Sequence, residues 1–330
     1  MDLAQLDICL NYRCRHLPDA LSTVVSTQFR KLTVMKILIS GASGLIGSAL
    51  KTALSTRGDS VLSLTRRNTH NDNEITWDPS SNTLDPSRLT NIDGVIHLAG
   101  ENIASRRWTA AQKARIRDSR VQGTSLLAQT LASISPQPKV FISASAIGYY
   151  GNRNDEILTE DSPPGEGFLP DVSIAWENAA KPATEAGIRT VHPRIGIVLS
   201  PEGGALGKML LPFKLGLGGI IGSGNQYMSW ITLDDLISLF LFAIDHESIS
   251  GAINAVSPTP VTNREFTKTL GRVLSRPTIF PLPAFAAKLA LGEMADALLL
   301  ASTRVISSRL ENTSFSFAHP HLEPALRHLL

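Results

Sequence analysis

Cysteine is scarce in this sequence of 330 residues, and the two that it has, Cys9 and Cys14, lie near its start. The rest of the chain therefore has no residues for a disulfide or for a thiolate metal site. This composition fits a reducing compartment. We expect a cytoplasmic protein, and an organellar stroma is also compatible with it.

Long apolar runs are also missing. The most apolar stretch, Ala284–Leu300, is interrupted by Lys288, Glu293 and Asp296, whereas a membrane-spanning helix needs about 20 mostly apolar residues. The stretch therefore predicts an amphipathic helix, and we expect a soluble protein without a membrane span.

Neither sign of charge dominates. The formal net charge is +2, and lysines, arginines and acids are interspersed along the chain. Nucleic-acid backbones are usually bound by a basic stripe, which this sequence does not have. Nucleic acid is therefore not expected as a partner. The oligomeric state stays open, with a homodimer as one option.

From Lys36 onward, β-branched apolar runs alternate with amphipathic stretches. The expected strands are KILIS, SVLSLT, GVIHLAG, KVFISAS and RTVHPRIGIVL, and helices are expected over Leu45–Arg57, Trp108–Ile134 and Val172–Ala186. Such alternation is typical of βαβ units. It predicts an α/β fold: a Rossmann-type doubly wound parallel sheet with a small mixed C-terminal substrate lobe.

The pattern also suggests domain boundaries. Residues 35–200, completed by about 230–257, are expected to form the nucleotide-binding domain, and residues 201–229 and 258–330 the smaller lobe. Pro201–Asn225 holds eight of the 24 glycines and is interpreted as a loop-rich excursion. Residues 1–34 match no later pattern and are interpreted as a disordered or spurious leader.

The stretch ILISGASGLIGSAL, residues 37–50, places three glycines between a predicted strand and a predicted helix. There, Gly41 permits a tight turn, Gly44 lets the backbone approach a pyrophosphate, and Gly47 lets the helix pack on the sheet. Free amides in the first helical turn would bind the phosphates. These amides belong to Leu45 and Ile46. The placement predicts dinucleotide binding, although the spacing is GxxGxxG and not GxGxxG.

The end of the second predicted strand indicates which dinucleotide is bound. NAD-specific proteins have an acid about 20 residues beyond the last glycine, which binds the adenine ribose. Here Arg66 and Arg67 occupy that region. Their guanidiniums can make charge-assisted hydrogen bonds to a 2′-phosphate, and Ser43 can add a hydroxyl. This favours NADP(H) over NAD(H); the alternative is a solvated strand end.

Two further segments have spacings that suit a cofactor. Asp78, in ITWDP, is placed to reach the adenine amino group, but it is equally placed to cap a turn before Pro79. Ala99 and Gly100, in HLAGEN, would pass close to the pyrophosphate and the nicotinamide ribose.

Several motifs together resemble a known family. The glycine triplet, HLAGEN, SASAIGYYG, HPRIGIVLS and a helix-starting DDL occur in the order found in extended short-chain dehydrogenases/reductases. The narrower resemblance is carried by further motifs: LAGENI followed by RRW, SRVQGT, AWENAA, GALGKMLLPFKLGLGGIIGSGNQYMSWI and LALGEMADALLLASTRV. They are similar to an atypical NAD(P)-dependent epimerase-like family with a C-terminal domain of unknown function. The resemblance covers residues 35–330. It implies an NADP(H)-binding Rossmann lobe, a small C-terminal lobe and a reaction that is generally unassigned.

The sequence departs from that resemblance at the catalytic pair. Extended members use a Ser or Thr with Tyr-x-x-x-Lys, in which the lysine holds the nicotinamide ribose and favours the tyrosinate. In this chain no tyrosine has a lysine four residues later. By alignment, Val172 and Trp176 replace the tyrosine and the lysine, so the usual base is missing.

Other groups are candidates for proton transfer. Ser145 best matches the family serine, and Tyr149 or Tyr150 could act with it in a rewired pair, or the tyrosines could merely line the pocket. Glu101 is a second candidate base; its alternatives are a hydrogen bond to the cofactor ribose or a capping role.

Several cationic side chains could meet a ligand phosphate or substrate, or could simply be solvated. They are Arg106, Arg107, Arg194, Lys208 and Lys214. Of these, we include Arg106 in the predicted cofactor site.

Four further residues are expected to be structural. We expect Trp230 to pack under the Gly-rich excursion and Asp235 to cap the following helix. His97 and His192 lack a second ligand at metal-like spacing, so they are expected in the core and no metal is predicted.

Two hypotheses follow. The first is an NADP(H)-dependent oxidoreductase or epimerase-like enzyme that acts by hydride transfer on a small, phosphorylated or nucleotide-linked substrate. The second is a non-catalytic NADP(H)-binding regulatory or redox-sensing module. The missing Tyr/Lys pair favours the second, and the retained serine and tyrosines favour the first, which we prefer.

Overall fold

A mostly parallel β-sheet forms the centre of the computed structural model, which describes residues 34–67, 69 and 71–330. Eight of its strands lie in the order β13-β9-β6-β5-β1-β2-β3-β4, and β7 pairs with β9. These strands are β1 Lys36–Ser40, β2 Ser60–Thr65, β3 Glu74–Asp78, β4 Thr83–Leu84, β5 Gly94–His97, β6 Val140–Ser143, β7 Ser145–Ala146, β9 Arg189–Ile195 and β13 Gly251–Ala255. β4 is antiparallel to β3.

The strand order confirms the Rossmann-type prediction. β1 pairs in parallel with β2 on one side and with β5 on the other, with Ile37 opposite both Val61 and Gly94. All four residues of β5 are buried, as expected for a parallel strand covered on both faces. The strand order reverses between β1 and β5, which opens a crevice at the carboxyl ends of these strands.

Helices cover the sheet and extend into the second half of the chain. They are α1 Leu45–Arg57, α2 Ala110–Ser133, α3 Phe168–Asn178, α4 Lys181–Glu185, α5 Gly204–Lys214, α6 Leu233–Asp245, α7 Asn263–Val273, α8 Ala284–Leu291, α9 Glu293–Ala295, α10 Ser308–Glu311 and α11 Leu322–Leu329. Buried residues of α2, including Leu127 and Leu131, pack in one core cluster with Leu38 and Phe141 of the sheet.

Short strand pairs complete the fold outside the main sheet. β10 Ile197–Ser200 pairs with β12 Trp230–Thr232, β11 Tyr227–Met228 with β14 Val261–Thr262, and β8 Ile157–Leu158 with β15 Arg304–Val305. Residues 36–330 form one compact unit. The division of this unit into a nucleotide-binding and a substrate lobe stays a prediction.

Two predicted elements are broken in the structure. The strand RTVHPRIGIVL divides at Gly196, where an added Cβ would stand 2.7 Å from the carbonyl oxygen of Ser229, and the chain then leaves the sheet to form β10. The helix predicted over Val172–Ala186 divides into α3 and α4 because Pro182 has no N–H to donate to the carbonyl of Asn178.

The loop-rich interpretation of Pro201–Asn225 is wrong for its first half, where α5 lies. Leu206, Leu210 and Phe213 face the core at helical spacing. The single amphipathic helix predicted over Ala284–Leu300 is also wrong: α8 ends at Leu291, before Gly292, whose φ is 63°, and a π-helical turn occupies Asp296–Leu300.

The predicted leader falls almost entirely outside the described residues, as do Cys9 and Cys14. In the part of the chain that is described, no helix has the length and apolar character needed to cross a membrane.

Candidate functional site

The glycine turn joins β1 to α1 at the edge of the crevice. Gly41 has φ 73°, and an added Cβ there would lie 2.9 Å from the backbone nitrogen of Ala99. The amide of Gly44 donates to the carbonyl of Gly41 at 3.0 Å, which closes the turn. An added Cβ at Gly47 would lie 2.2 Å from the Gly41 oxygen. At Gly41 and Gly47 the backbone therefore passes so close to other backbone atoms that only glycine fits.

The N-terminus of α1 is open. Gly44 is its N-cap residue, and among the described residues no side-chain capping hydrogen bond is made at this end of the helix. The amides of Leu45 and Ile46 belong to this turn and have no intrahelical acceptor. Together with the positive end of the helix dipole, they form an anion-binding position of the kind that holds phosphates.

Arg66 and Arg67 follow β2, next to this turn in the sheet. Both are exposed, and neither pairs with an acid among the described residues. The backbone of Arg67 is fixed, because its amide donates to Thr65 Oγ1 at 3.2 Å and its carbonyl accepts from Thr76 Oγ1 at 3.2 Å. Ser43 is also exposed. Both guanidiniums and the hydroxyl are therefore accessible to solvent and to an anionic ligand.

Asp78 caps the turn that follows β3. Its carboxylate accepts hydrogen bonds from the amide and hydroxyl of Ser80, at 2.9 and 2.7 Å, and from the hydroxyl of Ser81 at 2.8 Å. These hydrogen bonds, first of all from the Ser80 side chain, lower the pKa of Asp78. The structure thus shows the capping role, and the adenine contact stays a prediction.

Hydrogen bonds to a buried serine, which also contacts a histidine, fix the backbone of the loop after β5. Ser40 Oγ accepts from the amides of Leu98 and Ala99, at 3.2 and 3.3 Å, and lies 2.5 Å from His97 Nδ1. Because the two amides occupy both lone pairs of the hydroxyl, the tautomer with its proton on Nε2 fits this arrangement best, and Nε2 has no hydrogen-bond partner among the described residues. This arrangement fixes the backbone that the sequence places near the nicotinamide.

Glu101 lies at the end of this loop. Its carboxylate accepts from Gln112 Nε2 at 3.3 Å and from the hydroxyl of Ser105 at 3.5 Å. These are long, neutral contacts, so the carboxylate is only loosely held. The geometry is compatible with both the ribose contact and the base that the sequence suggested.

The cationic candidates near this loop differ in their surroundings. Arg106 is exposed. Arg107 donates to the carbonyl of Leu289 at 3.4 Å, and Lys208 donates to the carbonyl of Ala104 at 3.4 Å. The last two contacts connect the loop to α8 and to α5. The ligand roles of these cations stay predictions.

A hydrogen-bonded chain of Ser145, Glu177 and Arg194 lies at the carboxyl end of β6. Ser145 donates to Glu177 Oε1 at 2.6 Å, and Arg194 grips both carboxylate oxygens, at 2.9 and 3.0 Å. Ser145 and Arg194 are neighbours because β7 and β9 pair in that register. Breaking such a mostly buried pair by removing one partner typically costs about 3–5 kcal/mol.

Arg194 is confined within this chain and has a side chain only 5% exposed. Burial opposes its charge, but the hydrogen bonds and the negative charge of Glu177 outweigh burial and raise the pKa of Arg194 above its ordinary value. Arg194 is therefore a permanent cation that positions the carboxylate.

The two adjacent tyrosines occupy different environments. Tyr150 is fully buried, its hydroxyl donates to Asn254 Oδ1 at 2.7 Å, and it accepts from Arg194 at 2.9 Å. Burial raises its pKa. Tyr149 is partly exposed, its ring stacks on the guanidinium of Arg194 with 3.5 Å from Cζ to the ring centroid, and its hydroxyl has no partner among the described residues. The geometry therefore favours Tyr149 over Tyr150 for proton transfer.

The positions aligned with the missing pair hold side chains without an ionisable group. Val172 and Trp176 are 4% and 7% exposed and lie in α3. Neither can move a proton, which agrees with the sequence-based conclusion.

The structural roles expected for Trp230 and His97 are confirmed. Trp230 is fully buried in one cluster with Leu206 and Phe213 of α5, and His97 is fully buried. His192 is only partly buried in β9, where burial still lowers its pKa.

The capping prediction for Asp235 is wrong. Thr232 is the N-cap of α6, and its hydroxyl accepts from the amide of Asp235 at 3.1 Å. The carboxylate of Asp235 accepts from the Thr232 hydroxyl at 3.0 Å and from the amides of Ala318 and His319, at 2.7 and 3.0 Å. It therefore fixes the chain that leads into α11.

Sequence reasoning about metals considered only the core histidines. In the described part of the chain, Asp234, His319 and His328 bring possible ligand atoms within 4.8 Å of one another. His319 and His328 stack their rings at 4.2 Å, and His328 pairs with Asp234 at 3.0 Å.

Two adjoining cavities lie beyond the turn that carries the tyrosines. One, of about 300 Å³, is lined by residues that include Gly148, Phe168 and Asp296. The other, of about 460 Å³, is lined mainly by polar residues that include Asn152 and Lys288. The larger cavity therefore offers polar groups to a small ligand next to the candidate site, whereas the smaller one is lined largely by apolar residues.

Sequence reasoning missed two charged residues of this region. Glu177 directly follows Trp176 in AWENAA, and Arg120 lies in SRVQGT. Both stand in motifs that carried the family resemblance, which was the available signal. Their roles depend on partners far away in the chain.

Comparison with known families places these features in context. A sequence model described as the NAD dependent epimerase/dehydratase family matches residues 37–255, and a domain of unknown function, DUF1731, matches residues 282–329. The chain is 45% identical over 290 residues to "Epimerase family protein Mb2239" of Mycobacterium bovis, across 88% of this chain and 96% of that protein. It is 36% identical over 299 residues to human "Epimerase family protein SDR39U1", across 90% of this chain and 100% of that protein.

Solved structures give the same result. The crystal structure of human epimerase family protein SDR39U1 (isoform 2) with NADPH has a TM-score of 0.82 and 35% identity, over 89% of this chain and 99% of that one. A nucleoside-diphosphate sugar epimerase from Corynebacterium glutamicum has a TM-score of 0.76 and 37% identity, over 93% of this chain and 60% of that one.

Proposed function

This chain belongs to the NAD-dependent epimerase/dehydratase family, and from that premise we propose that it is an NADP(H)-dependent oxidoreductase or epimerase-like enzyme. Its substrate would be a small phosphorylated or nucleotide-linked molecule. The observation that carries the proposal is the open N-terminus of α1 beside the unpaired guanidiniums of Arg66 and Arg67.

The preference for NADP(H) has an electrostatic basis. A 2′-phosphate next to two guanidiniums gains charge-assisted hydrogen bonds, whereas the ribose hydroxyl of NAD(H) leaves two like charges close together without a counter-ion. The human relative was solved with NADPH, which supports the same cofactor here.

Calorimetry with NADPH and NADH tests this preference. NADPH should bind more tightly, and the Arg66→Ala, Arg67→Ala double variant should largely abolish the difference. Losing charge-assisted contacts of ~1.5–3 kcal/mol corresponds to roughly one to two decades in affinity. The matched control is Arg88→Ala, an exposed arginine on the turn after β4. Equal affinities of the unmutated protein for the two cofactors would contradict the proposal.

The catalytic part of the proposal rests on Ser145, Glu177 and Tyr149. The bound dinucleotide would supply the hydride donor or acceptor. Because Ser145 donates its own proton to Glu177, its oxygen can accept a proton from a substrate hydroxyl while Glu177 takes up the serine proton; reduction of a carbonyl reverses both transfers. Arg194 holds the carboxylate in place, and the free hydroxyl of Tyr149 can donate to the same substrate oxygen.

The substrate class is inferred from the site and from relatives. One of the adjoining cavities is lined mainly by polar residues, and the Corynebacterium glutamicum relative is described as a nucleoside-diphosphate sugar epimerase. A sugar linked to a nucleotide or phosphate offers the hydroxyl for proton transfer; Lys288 of this cavity is paired with Asp296 at 2.8 Å and is not assigned to the substrate anion.

Steady-state kinetics test the catalytic assignment. NADPH turnover with common aldehydes, ketones and sugar nucleotides should be very slow, because the usual Tyr/Lys pair is missing. With a true substrate, Ser145→Ala and Tyr149→Phe should each lower kcat by roughly a hundredfold or more, with little change in NADPH affinity. Glu101→Gln tests the alternative base, and Tyr227→Phe is the control. Brisk turnover that survives the first three substitutions would move the search to Lys208 in α5.

A second candidate is a non-catalytic NADP(H)-binding regulatory or redox-sensing module. The observation that favours it is the burial of Val172 and Trp176, where the usual base and cation would stand. Tight NADPH binding without single-turnover oxidation by any sugar nucleotide would support this alternative.

A further inference from the structure

Arg120 is a mostly buried cation that no acid neutralises directly. It lies in α2, and its Nη1 donates to the carbonyl oxygens of Glu101 at 2.9 Å and of Ile116 at 3.0 Å. In the part of the chain that the structure describes, no carboxylate lies within 4.0 Å of this guanidinium. Burial lowers its pKa to about 10, against the opposing effect of the charge on Glu101. Burying a charge in this way is unfavourable unless something pairs with it.

Most donors of the guanidinium are unused. Nε and Nη2 of Arg120 have no acceptor among the described residues, and neither is fully enclosed by protein. The guanidinium is planar, and its N–H groups form a fork that matches phosphate oxygens or a pair of neighbouring oxygens. The free donors can therefore serve an anionic or oxygen-rich ligand.

The backbone of the loop after β5 passes directly over this guanidinium. An added Cβ at Gly100 would stand 3.2 Å from Cζ of Arg120, so a larger residue would press on the charge. On the other side, Cζ lies 5.0 Å from the ring centroid of Trp176, an arrangement that stabilises a cation. Loop and ring together hold the guanidinium at one place.

The order of strands in the sheet places the loop after β5, and the Arg120 guanidinium beneath it, on one side of the glycine turn. β2, followed by Arg66 and Arg67, lies on one side of β1, and β5 lies on the other. Ligands of such folds bind across the carboxyl ends at this reversal of strand order. A dinucleotide with its adenine ribose at the end of β2 must extend its other half past Gly44 toward the loop over Arg120.

We propose that Arg120 binds the nicotinamide mononucleotide half of NADP(H), with its Nε and Nη2 donors directed to the phosphate or ribose oxygens of that half. The inference rests on the proposed function, since it requires a bound dinucleotide. It gives the nicotinamide end of the site a cation from α2, in a chain that has Trp176 where the family places a lysine in α3.

The two halves of the cofactor, used as separate ligands, test the proposal. In the full chain, Arg120→Met should weaken binding of NADPH and of reduced nicotinamide mononucleotide by about ten- to a hundredfold. It should leave binding of adenosine 2′,5′-bisphosphate within about twofold. Arg120→Lys, which keeps the charge without the fork, should lose less.

The Arg66→Ala, Arg67→Ala variant provides the reciprocal control, because it should weaken the bisphosphate and spare the mononucleotide. Arg117→Met, an exposed arginine of the same helix that pairs with Asp118, should change neither. If Arg120→Met weakens both halves alike with a lower melting temperature, or leaves the mononucleotide unaffected, the proposal for Arg120 is overturned while the cofactor preference stands. Failure of the unmutated chain to bind NADPH or the bisphosphate would instead overturn the proposed function.

Discussion

His97 is a single residue whose protonation couples the fold to pH. Burial lowers its pKa from 6.5 to about 3, and the positive charge of Arg120 acts in the same direction. In the unfolded chain His97 therefore becomes protonated near pH 6.5, whereas in the folded chain it becomes protonated only near pH 3. The stabilisation from the neutral imidazole is complete above pH 6.5 and is lost as the pH falls toward 3.

Urea denaturation at a series of pH values measures this effect. The free energy of unfolding should fall between about pH 6.5 and 5, with a slope approaching ~1.4 kcal/mol per pH unit for each such histidine. His97→Gln should reduce the slope; His192, whose pKa is also lowered by burial, should preserve part of it. His321→Gln, at an exposed position, is the control. Identical slopes for His97→Gln and the unmutated chain would contradict this.

Single residues could be predicted from the sequence where their role depends on neighbours in the chain, and could not where it depends on a partner from a distant element. The glycines of the turn and the core position of His97 could be predicted, because each depends on its own strand or turn. The partner of Ser145 could not, since Glu177 is 32 residues away and reaches it only when α3 packs on the sheet.

At the scale of elements, substitutions of two glycines in the turn between β1 and α1 should have different effects: one on stability and the other on cofactor binding. An added Cβ at Gly47 would lie 2.2 Å from the Gly41 oxygen, but one at Gly44 would lie 3.4 Å from it. Gly47→Ala should therefore lower the free energy of unfolding by about 1–3 kcal/mol. Gly44→Ala should nearly keep the melting temperature and weaken NADPH binding at least tenfold, because the methyl group obstructs the phosphate position.

Thermal unfolding and calorimetry on the same samples distinguish these effects. Gly58→Ala is the control: it ends α1 at φ 93° with no atom within 4 Å of an added Cβ, so it should lose some stability and no affinity. Equal losses of melting temperature in Gly44→Ala and Gly47→Ala would refute the separation.

The ends of helices and strands were predictable where the periodic pattern of apolar residues and the flanking glycines indicate the same boundary. α1 has the predicted bounds because it begins after Gly44 and ends before Gly58. α5 was missed because the many glycines of Pro201–Asn225, and Pro212 within the helix, indicate a loop, although Leu206, Leu210 and Phe213 keep a helical period. Burial of these three side chains against Trp230 outweighs the poor helix propensity.

For the whole molecule, the compact unit runs from residue 36 to residue 330. The match to the human relative spans all of that protein and 90% of this chain. A shortened chain that begins at Met35 keeps β1 and every motif. It should show the same melting temperature and NADPH affinity as the full chain, by differential scanning calorimetry and by titration. A marked loss of either would mean that residues 1–34 contribute to the fold.

The sequence by itself determined the Rossmann-type sheet, the glycine turn, the two arginines after β2 and the absence of the usual catalytic pair. These features depend on strand and helix periods and on short spacings, which are encoded over a few residues. Only the tertiary structure decided the Ser145, Glu177 and Arg194 chain and the place of Arg120 under Gly100. Those contacts join residues on different elements, and burial fixes which charges face each other only after the sheet has brought the elements together.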